Sequence, residues 1–418
     1  MTRSWIAAAR EVRSSTWFFA VAGVLLVAML PGRAGVGSGS PFGIALLIPT
    51  VCLAALGVAA SVRQPPSTRT TRRKAWLVAV LAACAVVHLT VMVEVVYRAS
   101  GPKIDVYLFQ RDAAAALLQG TDPYTITIPD IYGPSAGFYG KGVVGGGRVQ
   151  VGSPYPPLSL MSVVPAYLLG DVRYTDLAAV LLTALLLVAV RFDGVAVGVS
   201  GFLLMNPVTF IVEAHSWTEP FMLLTLAWTV LAASRRSRWL PVAVGCFLAS
   251  KQYSLLALPF LPFLTVDGNW RAARRLLLQS IGVAAIVTVP LAAWNFEAFW
   301  ADVVRFQMLQ PFRPESLSLA TLVPIPLVAV LGLTSIAAAW SFRTAKPHPA
   351  MFAGGFGFVL LVFTCCNKQA FCNYYFLVVS LLLVAGVAIR NPFPPPGARP
   401  PVRSEDFARS HHQARPTC

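Results

Sequence analysis

Residues 104–124 read IDVYLFQRDAAAALLQGTDPY and directly follow an apolar run that is long enough to span a membrane. The spacing predicts a helix, with Asp105, Asp112 and Gln119 along one edge, seven residues apart. Gly120 suits the position just past the helix, and Asp122-Pro123 favours a turn. The apolar residues predicted to share one face are Val106, Phe109, Ala113, Ala116 and Leu117.

Such a helix has about 14 residues and a length of roughly 21 Å, and it is too polar to cross a bilayer. We therefore expect it to lie flat on the membrane, with its apolar face toward lipid. Asp105 would then be a carboxylate held at the lipid–water boundary. Two roles remain open for it at this point. It is a favoured N-cap residue, or it is a general base.

The composition is that of a polytopic membrane protein. The 418 residues are 56% hydrophobic and only 12% charged, whereas soluble domains carry about 25% charged residues. The net charge of +16 does not indicate a nucleic-acid partner, because the basic residues fall in short loops between apolar runs. The positive-inside rule for membrane proteins explains this distribution better. The partner that the composition predicts is the lipid bilayer.

The apolar runs and basic loops together predict an all-α fold with about twelve crossings and both termini in the cytoplasm. Segments assigned to the cytoplasm hold 22 Lys and Arg and five acids. The rest of the chain holds 11 Lys and Arg and 12 acids. The long loop 98–173 then lies on the outer face. Ordinary spans are predicted at 16–30, 42–60, 75–97, 174–190, 194–212, 220–233, 276–293, 316–340, 350–364 and 374–389.

Two apolar stretches are too short for ordinary spans. The run 158–170 contains Pro165 and is predicted to be an interfacial or re-entrant helix, because a crossing here would place the basic residues 235–238 outside. The run 240–265 lies between two basic loops and must cross twice within about 26 residues, where two spans need roughly 40. It predicts a hairpin of half-length helices with Lys251 near its tip. A charge at that depth is tolerated only beside a polar cavity.

The ends of the chain differ from the membrane domain, which we place at 1–390. The first apolar run ends in Pro31-Gly32-Arg33 without a small-residue cleavage pattern, so no cleavable signal peptide is expected. Residues 391–418 are rich in proline and predict a disordered cytoplasmic tail. These features predict a multi-pass protein of the plasma membrane.

The run from Asp105 through Tyr107, Arg111-Asp112 and Gly120-Thr-Asp-Pro-Tyr124 resembles glycosyltransferase family 87. Tyr155-Pro-Pro-Leu158, Asn206-Pro207 and Ala249-Ser-Lys-Gln-Tyr253 are also similar, although the chain reads Ser216-Trp-Thr-Glu-Pro220 where many members have Gln. These enzymes belong to the C superfamily. The resemblance implies transfer of a hexose, mannose in the members that it points to, from a polyprenyl-phosphate donor to a lipid or glycan acceptor. It also implies that the catalytic Asp lies in the first large outer loop, at Asp105.

Six further residues are candidate substrate contacts, and each has a structural alternative. The alternative for Asp112 is an ion pair with Arg111 or Lys141 in solvent, and Glu219 is equally well placed to begin a helix. Lys251 is a phosphate contact or a side chain that reaches toward an interface. Arg305 and Arg313 suit lipid headgroups as well as a site. The candidates are Asp112, Tyr124, His215, Glu219, Lys251 and Lys368.

Two other functional classes compete with transfer, namely a transporter or flippase of a lipid or glycan precursor and a non-catalytic assembly subunit. A transporter predicts internal repeats and paired mid-span charges, and the sequence shows no repeat. It also lacks a Walker motif, a Rossmann fingerprint and a metal-ligand cluster. A nucleotide-sugar enzyme is thus disfavoured, and we predict neither a cofactor nor a metal. Cys365, Cys366 and Cys372 cluster near one membrane face, where a purely structural role is favoured over a disulfide or a metal site, since no His stands nearby at ligand spacing.

Overall fold

A computed structural model describes residues 71–99 and 101–389 and shows a mostly helical protein. The predicted spans 16–30 and 42–60 and the tail 391–418 lie outside the described residues. The α-helices are α1 (Thr71–Arg98), α2 (Asp105–Leu118), α3 (Pro157–Leu168), α4 (Tyr174–Val190), α5 (Gly194–Met205), α6 (Pro207–Ala214), α7 (Glu219–Ser234), α8 (Leu240–Ser250), α9 (Trp270–Trp294), α10 (Phe296–Trp300), α11 (Phe306–Leu309), α12 (Leu327–Thr344), α13 (Pro349–Cys366) and α14 (Cys372–Ala388).

Four helices in the described part of the chain are long and apolar enough to cross a membrane, and a bent pair would make a fifth. The four lie within α1, α9, α12 and α13. A helical protein with several candidate membrane spans was predicted, and this coarse form of the prediction is confirmed. The other apolar helices, among them α4, α7 and α14, have 10–17 residues.

The bent pair corrects the single span expected at 194–212. Helices α5 and α6 meet at Asn206 with a bend of 50°. Pro207 has no N–H to donate and disfavours helical geometry in the residue before it. Asn206 accordingly adopts an extended conformation, and its side chain accepts a hydrogen bond from the Val208 N–H (3.0 Å). The proline therefore ends one helix and begins the next.

The helix in the span expected at 316–340 also begins later than the apolar run in the sequence. A single 3₁₀ turn occupies Leu319–Thr321, and α12 begins only at Leu327. Pro324 and Pro326 interrupt the chain between them. Each proline removes a backbone donor and restricts the preceding residue, so a continuous helix cannot form before residue 327.

The hairpin expected at 240–265 consists of two short elements that meet at Lys251. Helix α8 ends at Ser250, and Lys251 is extended, with φ −158° and ψ 151°. The second element differs from the prediction because Gln252–Leu264 is a 3₁₀ helix. Its prolines, Pro259 and Pro262, are three residues apart and remove the donors that an α-helix would need.

The long loop contains the short helix α3, as expected, and a small antiparallel sheet that was not predicted. The strands are β1 (Ile128–Pro129), β2 (Val144–Gly145) and β3 (Arg148–Val149), in the order β1-β3-β2. Helix α2 also differs from the prediction, because its apolar face is covered by protein. Phe109 packs with residues of the sheet and with Phe306, and Ala113 packs against α3.

The core of the helical bundle is built around α14. All of its residues except Tyr374 are buried, as expected for a helix that is apolar on every side. Helices α7 and α13 pack against it. The N-terminal end of α14 points to the loop 367–371, which contacts the segment 308–317 that follows α11. These loops and the loop between α1 and α4 meet at the same end of the bundle.

Candidate functional site

Asp105 is the first residue of α2, and Ile104 is the N-cap. The helix ends as its sequence predicts. Gly120 adopts φ +71°, and the N–H of Thr121 donates back to the carbonyl of Ala116 (2.9 Å). The side chain of Asp122 then accepts from the N–H of Tyr124 (2.9 Å), which forms the expected turn. These local signals end α2, and its first residue, Asp105, lies seven residues after the end of α1.

The carboxylate of Asp105 is held by two phenols from the long loop. Tyr132 donates to Oδ1 (3.2 Å) and Tyr139 donates to Oδ2 (2.9 Å). Oδ1 also accepts from the N–H of Val106 (2.8 Å), and the N–H of Asp105 itself donates to the Tyr132 oxygen (3.2 Å). Both carboxylate oxygens thus have fixed directions, which is what positioning a base requires.

Burial dominates the protonation of this carboxyl. It raises the pKa of Asp105 above its ordinary value, while the bonds from Tyr139, Val106 and Tyr132 and the positive charge of Arg313 lower it. The net direction is upward. A carboxylate with a raised pKa binds a proton more tightly, so it is a stronger base than an exposed aspartate.

Arg313 approaches Asp105 from a distant part of the chain. Its guanidinium lies 3.6 Å from the ring centroid of Phe138 and 5.4 Å from that of Phe371. Glu315 accepts a hydrogen bond from its Nε (2.6 Å). The aromatic rings and the ion pair orient the cation, and its charge acts on Asp105. A planar guanidinium in this place suits an anionic group of a substrate.

A buried ion pair forms the second part of the site. Lys251 Nζ donates to Glu219 Oε1 (2.5 Å), and the Tyr253 hydroxyl donates to the same oxygen (2.7 Å). The Glu219 side chain is 0% exposed and that of Lys251 is 10% exposed. The expected break at Lys251 therefore places the cation among polar groups. The lysine nitrogen also lies near three phenol rings, at 5.9 Å from Tyr155, 5.1 Å from Tyr253 and 6.0 Å from Tyr374.

Tyr155 connects the two parts. Burial is the largest cause that raises the pKa of its phenol. The negative charge of Asp105 and then that of Glu219 raise it further. Both carboxylates therefore act on this one ring, which also lies over Lys251. The candidate site consists of Asp105, its phenols Tyr132 and Tyr139, Arg313, Tyr155 and the Lys251–Glu219 pair.

The segment 152–155 is fixed by Asp302. Its Oδ2 accepts from the N–H groups of Gly152 (2.7 Å) and Ser153 (3.0 Å). Burial raises the pKa of Asp302 to about 7, the two N–H groups lower it, and the charge of Asp122 raises it further. Gly152 is required here, since a Cβ would lie 2.3 Å from a backbone carbonyl oxygen.

Further bonds to the same segment orient Tyr155. Gln252 Nε2 donates to the carbonyls of Pro154 (2.9 Å) and Val303 (3.1 Å). The hydroxyl of Tyr124 donates to the carbonyl of Tyr155 (3.1 Å). Tyr124 is 2% exposed and packs edge-to-face with Phe299. It therefore supports the backbone of the site.

Three other sequence-predicted residues have partners outside this group. Asp112 pairs with the neighbouring Arg111 (2.7 Å), one of the two partners expected for it. His215 caps α6, with its Nδ1 2.8 Å from the Ile211 carbonyl. Lys368 donates to the carbonyls of Met308 (3.0 Å) and Gln310 and so anchors the loop that contains Arg313. Burial lowers the pKa of Lys368.

A second buried polar pair holds the bend between α5 and α6. His88 Nε2 lies 3.0 Å from Glu213 Oε1, and Nδ1 lies 2.5 Å from the Leu204 carbonyl. Both side chains are 0% exposed. The pair therefore joins α1 to the bent helices, at the end of α6 that precedes Glu219 in the chain. No spacing pattern predicts this pair, because the partners are 125 residues apart.

The cysteines and metal-ligating residues add no further site in the described ranges. Cys365, Cys366 and Cys372 are free thiols, so the disulfide considered for them is not formed. Within residues 71–99 and 101–389, no three His, Cys, Asp or Glu side chains form a group that could hold a metal ion.

Sequence reasoning missed the residues that complete the site. Tyr132 and Tyr139 lie in the polar loop without helical or strand periodicity, and the sequence around Arg313 suits lipid headgroups as well as a site. The usable signal was chemical, because a buried tyrosine hydroxyl needs a hydrogen-bond partner. Comparison of the chain with protein-family models, with curated proteins and with solved structures finds no match.

Proposed function

We propose that this protein is an integral membrane glycosyltransferase. It moves a hexose from a polyprenyl phosphate to a hydroxyl of a lipid or glycan acceptor. The observation that carries the proposal is the buried carboxylate of Asp105, oriented by Tyr132 and Tyr139 and close to the cation of Arg313. Similarity of the 105–124 run to glycosyltransferase family 87 points to mannose as the hexose.

The residues have distinct roles in the proposed reaction. Asp105 takes the proton of the acceptor hydroxyl as the hydroxyl oxygen bonds to the anomeric carbon. The bond from that carbon to the phosphate oxygen breaks, and its electron pair leaves with the polyprenyl phosphate. Attack opposite to the leaving group inverts the anomeric configuration. Arg313 and Lys251 stabilise the charge that develops on the phosphate.

In this scheme, Lys251 exchanges its partner Glu219 for the phosphate of the donor. Its ammonium is bound to Glu219 and lies among phenol rings. A donor phosphate brings a second anion to the same cation, and Glu219 then keeps the bond from Tyr253. Since a buried charge is costly without a partner, Glu219 also serves as the counter-ion of Lys251 when no donor is bound.

The proposal includes the finer topology. Twelve crossings with both termini in the cytoplasm put the loop 98–173 on the outer face of the plasma membrane, with Asp105 at the lipid boundary. A reporter fused after Gly140 should report the outer face, and one fused after Arg236 should report the cytoplasm. The same side for both reporters would contradict α3 as a re-entrant or interfacial helix.

Radiolabelled donor tests the reaction itself. Membranes with the wild-type chain are incubated with labelled polyprenyl-phosphate mannose, and the lipid products are separated and counted. We expect a labelled product that is absent from membranes with Asp105→Asn at equal protein level. A transporter would instead move labelled lipid between leaflets without forming a new glycosidic bond, and that result would refute the proposal.

A further inference from the structure

A groove opens at the end of α7 opposite to Glu219. It has a volume of about 240 Å³ and lies between the end of α4 and the turn that follows α7. Arg235, at the mouth of the groove, follows Glu219 by 16 residues, which is roughly 24 Å along the helix at 1.5 Å per residue. Its lining combines apolar side chains with one cation and consists of Ala189, Trp228, Leu231, Ala232, Arg235, Ser237 and Trp239.

An exposed apolar stripe of α4 leads up to the groove. Leu182 and Leu185 stand seven and four residues before Ala189, so the three share one stripe of α4. Leu182 and Leu185 are 48% and 54% exposed. On α7, Trp228 and Leu231 line the other side. An extended apolar chain can therefore lie along the seam of the two helices.

The mouth of the groove is positively charged. Arg235 donates to the carbonyl of Ala189 (2.6 Å), which fixes it between the two helices. The guanidinium of Arg238 lies 5.6 Å from the ring of Trp239, which is 53% exposed. Arg191, which follows Ala189 by two residues in the sequence, pairs with Asp193 (2.6 Å). Arg235 and Arg238 therefore supply two positive charges at the mouth.

We propose that this groove binds one anionic phospholipid. An acyl chain lies between α4 and α7, and the phosphate contacts Arg235 and Arg238. The apolar seam and the cationic mouth are separate observations that fit the two halves of such a lipid. A zwitterionic lipid would leave the excess positive charge unbalanced, so the site selects for net negative headgroups. Trp239 suits the headgroup level beside the phosphate.

Native mass spectrometry of the full chain in detergent tests the proposal. Dioleoylphosphatidylglycerol and dioleoylphosphatidylcholine are titrated separately. We expect the anionic lipid to be retained in preference and its affinity to fall about 30-fold in Arg235→Ala/Arg238→Ala, since each arginine contributes about 1 kcal/mol. The matched control is Arg274→Ala/Arg275→Ala, which removes two exposed arginines of α9. Its affinity should remain within about threefold of wild type.

Several outcomes would overturn the site. Equal losses of affinity in both double variants would mean that lipid binding depends only on the overall charge of the protein. No loss of affinity in either variant would show that these arginines do not contact the lipid. Equal retention of the two lipids would contradict selection by charge. Competition by glycerol 1-phosphate at the lipid's own concentration would contradict a role for the acyl chain. Since binding is measured without a sugar donor, failure here leaves the proposed transfer untouched.

Discussion

Removal of the Lys251 charge should strongly destabilise the protein. In Lys251→Met the Glu219 carboxylate keeps the bond from Tyr253 but loses its ion-pair partner, and its side chain is 0% exposed. Breaking a buried pair by removing one partner costs about 3–5 kcal/mol, because it leaves an uncompensated buried charge. Glu219→Gln should cost less, since Lys251 remains close to the rings of Tyr253 and Tyr374.

The double variant Lys251→Met/Glu219→Gln buries neither charge. Its loss of unfolding free energy should therefore be smaller than the sum of the single losses by about 2 kcal/mol or more. Unfolding of the four proteins by denaturant in mixed micelles, followed by circular dichroism, measures this difference. The matched control is the exposed pair Arg98–Glu94, with side chains 78% and 52% exposed, for which we expect less than about 1 kcal/mol. If the losses of unfolding free energy in the two single variants simply add up in the double variant, Lys251 and Glu219 do not stabilise each other, and the buried pair is refuted.

Two other predictions concern pH. Burial raises the pKa of Asp302 from 3.8 to about 7, so its contribution to stability is full below about pH 4 and is lost as the pH rises through about 7. Asp302→Asn should flatten that decline in melting temperature between about pH 4 and pH 7. Parallel pH profiles of melting temperature in the two proteins would exclude Asp302 as the cause of the decline. Arg313 lowers the pKa of Asp105, so Arg313→Ala should shift the rise in transfer rate to higher pH. An unchanged pH profile would separate Arg313 from the base.

The sequence predicted the secondary structure of the described residues well where local signals decide it. The helix from Asp105, its end at Gly120 and the break at Lys251 follow from helix-stop and turn chemistry. Proline explains the two spans that were predicted too long. Pro207 and Pro324 interrupt runs that hydropathy alone reads as single spans. Hydropathy averages over a window, whereas one missing N–H acts at a single residue.

The contacts of the site were less predictable because they join distant segments. Asp105 meets Tyr132 and Tyr139 across 27 and 34 residues, and Lys251 meets Glu219 across 32. No periodicity along the chain encodes such pairs. They depend on which loops meet at one end of the bundle, and tertiary packing determines that. The candidate residues Asp105, Glu219 and Lys251 were found by residue type and position, but their partners required the structure.

The same limit applies to α2. Its amphipathic pattern shows that one face is apolar but not whether lipid or protein covers that face, because both exclude water. Phe109 and Ala113 face the sheet, Phe306 and α3. The prediction of an apolar face turned to lipid was therefore wrong in this respect, although the helix and its bounds were right.

The comparison of Asp105→Asn with Asp112→Asn tests the central claim most directly. Both substitutions replace one carboxylate by an amide on α2, and Asp112 is paired with Arg111 outside the site. With both proteins present at wild-type levels in the membrane, transfer of labelled mannose from polyprenyl phosphate is timed. Asp105→Asn should lose roughly 10²–10⁴-fold of rate, because the amide cannot take the proton, and Asp112→Asn should lose far less. Near-normal turnover in Asp105→Asn, or equal loss in both variants, would contradict Asp105 as the base.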